Sequence, residues 1–307
     1  MPLAILNGFG RSLGDSLIGL QALAVAQHCA AMDVPLLVRR RHGRAMVDQL
    51  YDLVDFAEIL IVPDNEPDHA PPGFNDVIDI RDFAFDPAFR GTAMIDFFLT
   101  RLGVNPTTIP TAAKRNSWLQ TRVRAQKPPG LPAQYALVCP GSSMPLRDMP
   151  ANLHDLVLRD IAHAGLSVVT QGISPRQDVI GVSAMDRIDH LCGLVANATC
   201  IVSTDTAMVH LADAFDIPCL AVFTTHRPEW RVRDYPNCTP LHLPPSGLPD
   251  ALEFARDAAD EALVALAWQD GAGTIHDQLI AFLAVLPTRD AGERHDAVGA
   301  CPLGASA

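Results

Sequence analysis

Short apolar runs alternate with longer helical patterns along most of the chain, and this alternation limits the fold more than any other feature. In the first third, strands are predicted at 3–6, 36–39, 59–62 and 77–80. Helices are predicted between and after them at 16–31, 44–54 and 92–102, the first as an amphipathic helix. Such alternation with short connections is typical of a parallel sheet that is covered by helices on both faces.

The alternation stops at K-P-P-G-L-P, residues 127–132, because this stretch can continue neither a helix nor a central strand. It then restarts, with strands predicted at 135–139, 166–170, 200–203 and 219–224. The helices predicted in this half are at 151–164, 187–196, 207–215, 249–268 and 275–286. We therefore expect two doubly wound, Rossmann-like α/β domains, 1–130 and 131–287, that face each other across a cleft. The last segment, 288–307, is rich in Ala, Gly and charge and is expected to be disordered.

Composition and charge exclude several classes of protein. No apolar run reaches the roughly 20 residues that a transmembrane helix needs, and residues 1–7 lack the pattern of a secretory signal. Lys and Arg number 23 against 35 Asp and Glu, and the net charge of −12 argues against nucleic acid as a partner. The seven cysteines are scattered and never form a C-x-x-C pair, so we expect buried thiols of a cytoplasmic protein and neither a zinc site nor a disulfide framework.

Ligands bind such sheets where strands end and loops enter helices, and the first of these loops is rich in glycine. Residues 8–15 read G-F-G-R-S-L-G-D, which departs from the dinucleotide fingerprint because its third glycine, Gly14, arrives one residue late. Arg39, Arg40 and Arg41 follow the second strand and suit the 2′-phosphate of NADP, so an NADP-dependent oxidoreductase is one reading. The other interpretation is structural. The glycines form a tight turn, and the arginine run lies on a solvated face.

Asp15 ends this loop and has two competing interpretations. It is either the N-cap of the following helix, where it accepts hydrogen bonds from free N–H groups, or a general base placed by a strand end. The two roles compete because a capping carboxylate is stabilised as an anion and is a weaker base.

The loop at 139–150 reads C-P-G-S-S-M-P-L-R-D-M-P and supplies two adjacent hydroxyls, Ser142 and Ser143, and one cation, Arg147. Hydroxyls, backbone amides and a guanidinium together neutralise a diphosphate without a metal ion. An ordinary polar loop is the alternative.

The segment S-T-D-T-A-M-V-H-L-A, 203–212, places a strand end directly before a helix. The free N–H groups and the positive end of a helix make such a junction an anion site. Thr206 and His210 lie one turn apart on the same helical face and so can line one pocket. In the alternative, Asp205 caps the helix and His210 packs in the core.

Taken together, from about residue 3 to 243, these motifs resemble glycosyltransferase family 9, the ADP-heptose:lipopolysaccharide heptosyltransferases. The segment G-R-S-L-G-D-S-L is similar to the family's G-D-x-L motif, which implies that Asp15 is the catalytic base. The segment G-S-S-M-P-L-R-D-M-P resembles the donor-binding stretch of the family, with Arg147 where lysine is usual. The resemblance thereby gives donor-binding roles to Ser142, Ser143 and Arg147.

The resemblance continues in S-T-D-T-A-M-V-H-L-A, which is similar to the signature D-S/T-G-x-x-H-L-A. It implies that the donor's diphosphate and sugar contact Asp205, Thr206, Ala207 and His210, with Asp205 on sugar hydroxyls or capping the helix. By the same resemblance Met185 lies beside the adenine, and Asp178 is an acidic donor contact. The chain departs from the family in Ala207, which replaces the signature glycine, in Met149, which replaces a tryptophan, and in T-T-H-R-P at 224–228, where G-P-T is usual.

The resemblance implies a GT-B fold and an inverting, metal-independent, cofactor-free transfer of heptose from an ADP-sugar to a saccharide. The expected acceptor is the lipopolysaccharide core, which Arg39, Arg40 and Arg41 would attract, in the cytoplasm with at most peripheral contact at the inner leaflet. Besides the NADP-dependent oxidoreductase, two other functions stay open. One is a degenerate, non-catalytic nucleotide-sugar-binding protein, which the departures at Ala207 and 224–228 favour, and the other is a sugar-nucleotide epimerase of the same fold.

Overall fold

A computed structural model of the chain describes residues 3–6, 8–30, 32–41, 44–63, 69–183 and 185–287. These residues form two compact units. The first runs to Arg124 and includes Asp186–Ile188, and the second comprises Ala125–Met185 and the described residues from Asp189 onward. The tail that the sequence predicts to be disordered, 288–307, lies outside the described residues.

In the described part of the first unit, four parallel strands form one sheet in the order β3-β2-β1-β4. The strands are β1 (Leu3–Leu6), β2 (Leu36–Arg40), β3 (Glu58–Val62) and β4 (Asp76–Asp79). The helices are α1 (Leu13–Ala30), α2 (Ala45–Tyr51) and α3 (Met94–Arg101). All seven predicted elements are present, although α2 is shorter than predicted. Since the chain moves outward from β1 through β2 to β3 and then returns to β4 on the other side of β1, the order of strands reverses between β1 and β4.

The prediction that α1 is amphipathic is wrong. Its residues from Ser16 to Leu23 are all buried, as are Val25 and Ala26, so the helix is covered on every side from Ser16 to Leu23, after its half-buried first turn. Only its C-terminal end, from His28, is exposed. A helix that is apolar all round is a core helix, and α1 packs against α3 and against two short 3-10 turns that follow it in this unit.

In the second unit, six parallel strands of the described chain form a sheet in the order β10-β9-β8-β5-β6-β7. They are β5 (Tyr135–Cys139), β6 (Ser167–Gln171), β7 (Ile180–Val182), β8 (Cys200–Thr204), β9 (Cys219–Phe223) and β10 (Cys238–His242). The helices are α4 (Ala151–His163), α5 (Ile188–Ala196), α6 (Ala207–Ala214), α7 (Ala258–Asp270) and α8 (Ala272–Ala284). Every residue of β5, β8 and β9 is buried, as expected for parallel strands with helices on both faces.

The largest differences from the sequence prediction in this unit are two strands and the start of one helix. The edge strands β7 and β10 were not predicted, because they are largely exposed and lack a continuous apolar run. β10 also contains Pro240, which is tolerated in a sheet at such an edge. The helix predicted at 249–268 begins at Ala258, because Asp257 caps it by accepting hydrogen bonds from the N–H groups of Ala259 and Asp260.

The predicted α/β class, with two doubly wound parallel sheets, is therefore confirmed. Among the described residues there is no helix whose length and apolar content would let it cross a membrane.

Candidate functional site

The sheet of the second unit changes direction between β5 and β8, and this is where an open parallel sheet binds its ligands. From β5 the chain proceeds outward through β6 to β7, and from β8 it proceeds the other way through β9 to β10. The loops that leave β5 and β8 at their carboxyl ends are 140–150 and 205–206, so the topology brings together the two loops that the sequence selected for chemistry.

Thr206, not Asp205, caps the helix that begins here. The Oγ1 of Thr206 accepts a hydrogen bond from the N–H of Met208 at 3.1 Å and lies 3.2 Å from the Oγ of Ser203. Thr206 and Ala207 are half-buried, so the N-terminus of α6 is within reach of solvent. The expectation that Asp205 caps this helix is wrong, because its carboxylate points to other partners.

Asp205 is 4% exposed and accepts two hydrogen bonds on the same oxygen. Arg147 donates from Nη1 to its Oδ2 at 2.9 Å, and the Nδ1 of His226 lies 3.0 Å from Oδ2. Burial by itself raises the pKa of Asp205, but the Arg147 guanidinium and His226 outweigh burial and hold that pKa far below its usual range. The sequence selected Arg147 and Asp205 as separate donor contacts, and the structure joins them in one buried ion pair.

Glu253 closes this cluster from the other side. Its Oε1 lies 3.0 Å from the Nε2 of His226, and its Oε2 lies 4.0 Å from the Nη2 of Arg147. Glu253 is half-exposed. Burial raises its pKa, but His226 and Arg147 lower it by more, so the pKa lies below its usual value. We call Arg147, Asp205, His226 and Glu253 the charge ring. Sequence reasoning missed His226 and Glu253, and the one signal was the histidine in T-T-H-R-P at 224–228.

His210 is buried behind α6 and does not share an open pocket wall with Thr206. Its Nδ1 lies 2.8 Å from the hydroxyl of Tyr235, and the two rings meet edge to face. Burial lowers the pKa of His210 to about 4, against a smaller opposite effect of Asp205, so the ring is neutral near pH 7. His210 therefore packs in the core, as in the alternative interpretation of its motif.

The two serines of the loop at 140–150 occupy different environments. The N–H of Ser142 donates to the Oδ1 of Asp148 at 2.6 Å. The hydroxyl of Ser142 is held locally, since it donates to the carbonyl of Met144 at 2.6 Å and accepts from the N–H of Met144 at 2.9 Å. Ser143 is exposed. The loop therefore presents one structured hydroxyl and one solvated hydroxyl.

Asp178 and Met185 lie in segments of the second unit other than those that carry the charge ring. Asp178 is exposed and pairs with Arg176, whose Nε and Nη2 lie 3.0 and 2.8 Å from its two oxygens. This pairing holds the pKa of Asp178 below its usual value. Met185 is half-buried and is the last residue of the stretch Ala125–Met185 of the second unit.

In the first unit, the loop after β1 begins with three consecutive residues of positive φ: Gly8 at 51°, Phe9 at 63° and Gly10 at 93°. Glycine adopts this backbone readily, whereas phenylalanine does so only at a cost. Phe9 is fully buried and packs edge to face on Phe98, with ring centroids 5.3 Å apart. Its apolar burial offsets the backbone strain.

Asp15 is not the N-cap of α1. The helix begins at Leu13, and the hydroxyl of Ser12 accepts a hydrogen bond from the N–H of Asp15 at 3.0 Å. Ser12 is thus the cap, and Asp15 is the third residue of the helix, half-buried in its first turn. The capping interpretation of Asp15 is wrong, because the helix starts earlier than its apolar pattern suggests.

The three predicted acceptor arginines differ in exposure. Arg39 is 3% exposed, pairs with Asp48 at 2.8 Å and stacks over the ring of Tyr51 at 4.1 Å. Arg40 is half-buried and donates from Nη1 to the carbonyl of Pro63 at 3.0 Å, whereas Arg41 is exposed. The contacts of Arg39 inside the first unit therefore explain why this arginine is buried.

Residues 98–236 match the model of glycosyltransferase family 9 (heptosyltransferase). The matched range begins within α3 and includes Arg147, Asp205 and His226, while the loop that contains Asp15 precedes it. No significant match was found among curated protein sequences.

Solved structures of three heptosyltransferases share the fold. ADP-heptose lps heptosyltransferase II of E. coli is 13% identical with a TM-score of 0.57, over 92% of this chain and 99% of that one. E. coli heptosyltransferase WaaC with ADP is 15% identical with a TM-score of 0.58, over 90% and 99%. The iron-containing dodecameric TibC of enterotoxigenic E. coli, in complex with ADP-D-β-D-heptose, is 15% identical with a TM-score of 0.62, over 92% and 77%. The chain therefore has a GT-B type fold, and its residues 98–236 are similar to glycosyltransferase family 9 (heptosyltransferase).

Proposed function

We propose that the protein transfers heptose, with inversion and without a metal ion, from an ADP-heptose donor to a saccharide hydroxyl such as one on lipopolysaccharide core. The observation that carries the proposal is the solvent-accessible N-terminus of α6 beside Arg147, at the switch point of the sheet in the second unit. The family-model match and two neighbours described with ADP or an ADP-heptose bound support the same donor class.

The donor's diphosphate binds at the tip of α6 in this proposal. Free N–H groups and the helix dipole favour an anion there, and Arg147 supplies the full positive charge, with Ser142 and Ser143 as hydroxyl donors. Because Asp205 is buried against Arg147, we assign it to holding the guanidinium in place.

The remaining donor contacts follow the resemblance. Thr206 and Ala207 approach the phosphates through the first turn of α6, and the methyl of Ala207 narrows that approach relative to glycine. Met185 contacts the adenine, and Asp178 contacts the donor after leaving Arg176. His210 supports the first turn from behind, since its ring is buried against Tyr235.

Asp15 is the general base in the proposed reaction. The acceptor O–H gives its proton to the Asp15 carboxylate while its oxygen attacks the anomeric carbon, and the bond from that carbon to the diphosphate oxygen breaks as ADP leaves. Ser12 supports this role, because it caps α1 and relieves Asp15 of that task. Loss of a general base costs about 100-fold to 10,000-fold in turnover.

The acceptor site is proposed from the charge of the arginine run. Arg41 is exposed and suits an anionic lipopolysaccharide core, whereas Arg39 is committed to Asp48 and Tyr51. A lipid-linked acceptor places the protein in the cytoplasm, at the inner leaflet of the membrane.

The test combines transfer assays with calorimetry. Heptose transfer from ADP-heptose to a panel of saccharide acceptors is measured for the wild type and for Asp15→Asn, and ADP, UDP, GDP and dTDP are titrated into both. We expect ADP to bind most tightly, and Asp15→Asn to lower turnover at least about 100-fold with the Kd for ADP unchanged. The variant Asp178→Asn serves as a control on the donor side, where KM for the donor should rise instead.

Three outcomes would contradict the proposal. Unchanged turnover in Asp15→Asn would show that Asp15 is not the general base. Tight ADP binding without transfer to any acceptor identifies a non-catalytic binding protein, which the departures at Ala207 and 224–228 would then explain. Conversion of the nucleotide-sugar in the absence of any acceptor identifies an epimerase.

A further inference from the structure

The loop that follows β4 presents an exposed aromatic ring at the ligand-binding edge of the first sheet. The order of strands reverses between β1 and β4, and an open parallel sheet binds ligands outside the carboxyl ends of its strands at such a point. The loop after β1 leads to Asp15, and the loop after β4 carries Phe85, whose side chain is 76% exposed. No other Phe, Tyr or Trp side chain in the described part of the first unit is exposed. The proposed reaction uses the first loop and gives the second no role.

Phe85 is held on a rigid base. It ends a 3-10 turn, Phe83–Phe85, and its N–H donates to the carbonyl of Asp82 at 2.9 Å. At the start of the turn the ring of Phe83 is buried, and it meets the rings of Phe89 and Phe98 edge to face with centroids 5.1 and 5.2 Å apart. Because the core fixes the backbone of the turn, a ligand that contacts Phe85 has little chain to order on binding.

The base of this turn lies against the loop that leads to Asp15. A Cβ at Gly10 would lie 2.9 Å from the Cε1 of Phe83 and 3.6 Å from the Cβ of Asp15. Phe83 and Asp15 therefore flank the same glycine. Phe85 follows Phe83 by two residues, so its ring belongs to the same part of the first unit as the carboxylate that accepts the acceptor's proton in the proposed reaction.

The charged residues around the turn indicate which class of ligand suits Phe85. From residue 79 to 101 the chain carries four acidic and three basic residues, which are Asp79, Arg81, Asp82, Asp86, Arg90, Asp96 and Arg101. Asp96 pairs with Lys114 at 2.7 Å, and the loop after β1 adds Arg11 and Asp15, one residue of each sign. The arginine run after β2 is separated from this loop by β1. Docking to an anionic membrane depends on an excess of basic residues, and this loop has none.

Paired charges at the surface suit a polyol instead. The Nε of Arg81 donates to the Oδ1 of Asp79 at 2.9 Å, and the Nη1 of Arg101 lies 3.5 Å from the Oδ2 of Asp86. Arg81 and Asp79 are 42% and 47% exposed, so donors and acceptors are both within reach of solvent. Sugar hydroxyls both donate and accept hydrogen bonds. The C–H groups on one face of a sugar ring pack against the electron-rich face of an aromatic ring.

We propose that Phe85 is a saccharide-binding platform: one sugar ring of the acceptor stacks on its exposed ring, while hydroxyls of that sugar hydrogen-bond to Asp79 and Arg81 of the same loop. This inference deepens the proposed function and rests on it for the statement that the bound saccharide is the acceptor. The flat ring carries the binding, which distinguishes the platform from an apolar contact with lipid.

The first experiment measures saccharide binding without transfer. Methyl glycosides of heptoses and hexoses and a deacylated lipopolysaccharide core oligosaccharide are titrated into the full chain, and each Kd is measured by saturation-transfer NMR. We expect Phe85→Leu to raise the Kd about tenfold, because leucine is apolar but has no flat face. Phe85→Tyr keeps the ring and should stay within about twofold of the wild type.

Val34→Ser is the matched control. Val34 is 62% exposed and precedes β2, so it lies at the amino end of the same sheet, away from the proposed platform. Removing its apolar side chain should leave every saccharide Kd unchanged. Because both side chains are exposed, the midpoint of chemical denaturation should not change in Phe85→Leu or in Val34→Ser.

The second experiment measures heptose transfer from ADP-heptose to the core oligosaccharide. Phe85→Leu should raise KM for the oligosaccharide about tenfold, with kcat and the Kd for ADP unchanged, because the substitution removes a contact made with the bound acceptor and none made with the donor. A fall in kcat at unchanged KM would show that Phe85 acts on the structure of the site, and would contradict a platform.

The outcomes separate this inference from the proposed function. An unchanged saccharide Kd in Phe85→Leu, or a wild type that binds none of these saccharides, would overturn the platform. Co-sedimentation with phosphatidylglycerol vesicles tests lipid contact: vesicle binding that is lost in Phe85→Ser and kept in Phe85→Leu, with saccharide Kd values unchanged in both, would assign Phe85 to a membrane instead. If saccharides bind through Phe85 but heptose is never transferred, the proposed function fails and the platform stands.

Discussion

Each unit has a loop that leads from a strand into a helix at the switch point, and the two loops are held in place in different ways. In each, a strand next to the switch point leads into a helix that is capped by a hydroxyl, Ser12 before α1 and Thr206 before α6. The junction after β1 reaches its cap through the strained backbone of Gly8, Phe9 and Gly10 and is anchored by a buried aromatic ring. The junction after β8 is short and is anchored by a buried carboxylate.

The difference shows two ways to hold a functional loop. At the first junction, the cost is backbone strain, and burial of Phe9 in an aromatic cluster offsets it. At the second, the cost is desolvation of Asp205, and the Arg147 guanidinium and the hydrogen bond with His226 offset it. The first junction should therefore respond to changes in side-chain volume, and the second to changes in charge and pH.

The largest effect is expected from Gly19→Ala, which tests the first junction. A Cβ at this position would overlap the side chain of Phe9, so either the helix or the strained loop must move. We expect a loss of about 3 kcal/mol in the free energy of unfolding, as for other overpacked cores, measured by chemical denaturation. Gly273→Ala in α8 is the matched control, because nothing lies within 4 Å of its would-be Cβ; it should stabilise the helix by about 0.5–1 kcal/mol. Equal effects of the two substitutions would refute the anchoring role of Phe9.

A smaller effect, and one that depends on pH, is expected at the second junction. Burial lowers the pKa of His210 to about 4, below the value of about 6.5 in an unfolded chain. As pH falls below 6.5, the unfolded chain takes up a proton that the folded ring refuses, so stability is present above that pH and is lost on acidification. We expect about 2 kcal/mol of lost stability between pH 7 and pH 5 from this residue, and none of it in His210→Gln.

His276 is the control of opposite sign. Its hydrogen bond to Asp160 raises its pKa, so its contribution is full below the unfolded pKa and is lost as pH rises through the folded value. His276→Gln should therefore reduce stability at low pH and leave it unchanged at high pH. A pH dependence that persists unchanged in His210→Gln would show that groups other than His210 carry it.

The smallest effect is expected at the two caps, where the junctions are alike. Ser12→Ala and Thr206→Ala each remove one side-chain acceptor from a helix N-terminus, and each should cost about 1 kcal/mol of unfolding free energy, measured by chemical denaturation. Similar losses would place the difference between the junctions in their anchors. A loss at Thr206 several times that at Ser12 would show instead that the cap itself supports the buried charges.

Much of the fold was predictable because it depends on local patterns of apolar and polar residues. The buried strands β5, β8 and β9 are continuous apolar runs, and their bounds agree with the prediction within one residue at each end. The edge strands β7 and β10 escaped prediction because exposure removes the apolar signal. The start of α1 was placed too late because Ser12, Leu13 and Gly14 precede the apolar stretch from which the helix was inferred.

The candidate site was predictable residue by residue but not as an arrangement. Arg147 and Asp205 were selected on separate loops, and their ion pair joins residues 58 positions apart. His226 and Glu253 are 27 positions apart, and no local pattern marks the glutamate as its partner. Contacts at such separations depend on which strands are neighbours in the sheet.

From the sequence alone follow the α/β class, the doubly wound sheets, the resemblance to glycosyltransferase family 9 and the loops that carry its chemistry. All of these are encoded in residue types at short separations, where hydrophobic periodicity and turn chemistry act. The tertiary structure decided which side chains meet: that Ser12 and Thr206 cap the helices, that Arg39 is buried, and that His226 joins two carboxylates. Side chains from distant segments meet only after the sheet has brought strand ends together, and the low polarity of that buried place makes each unmatched charge costly.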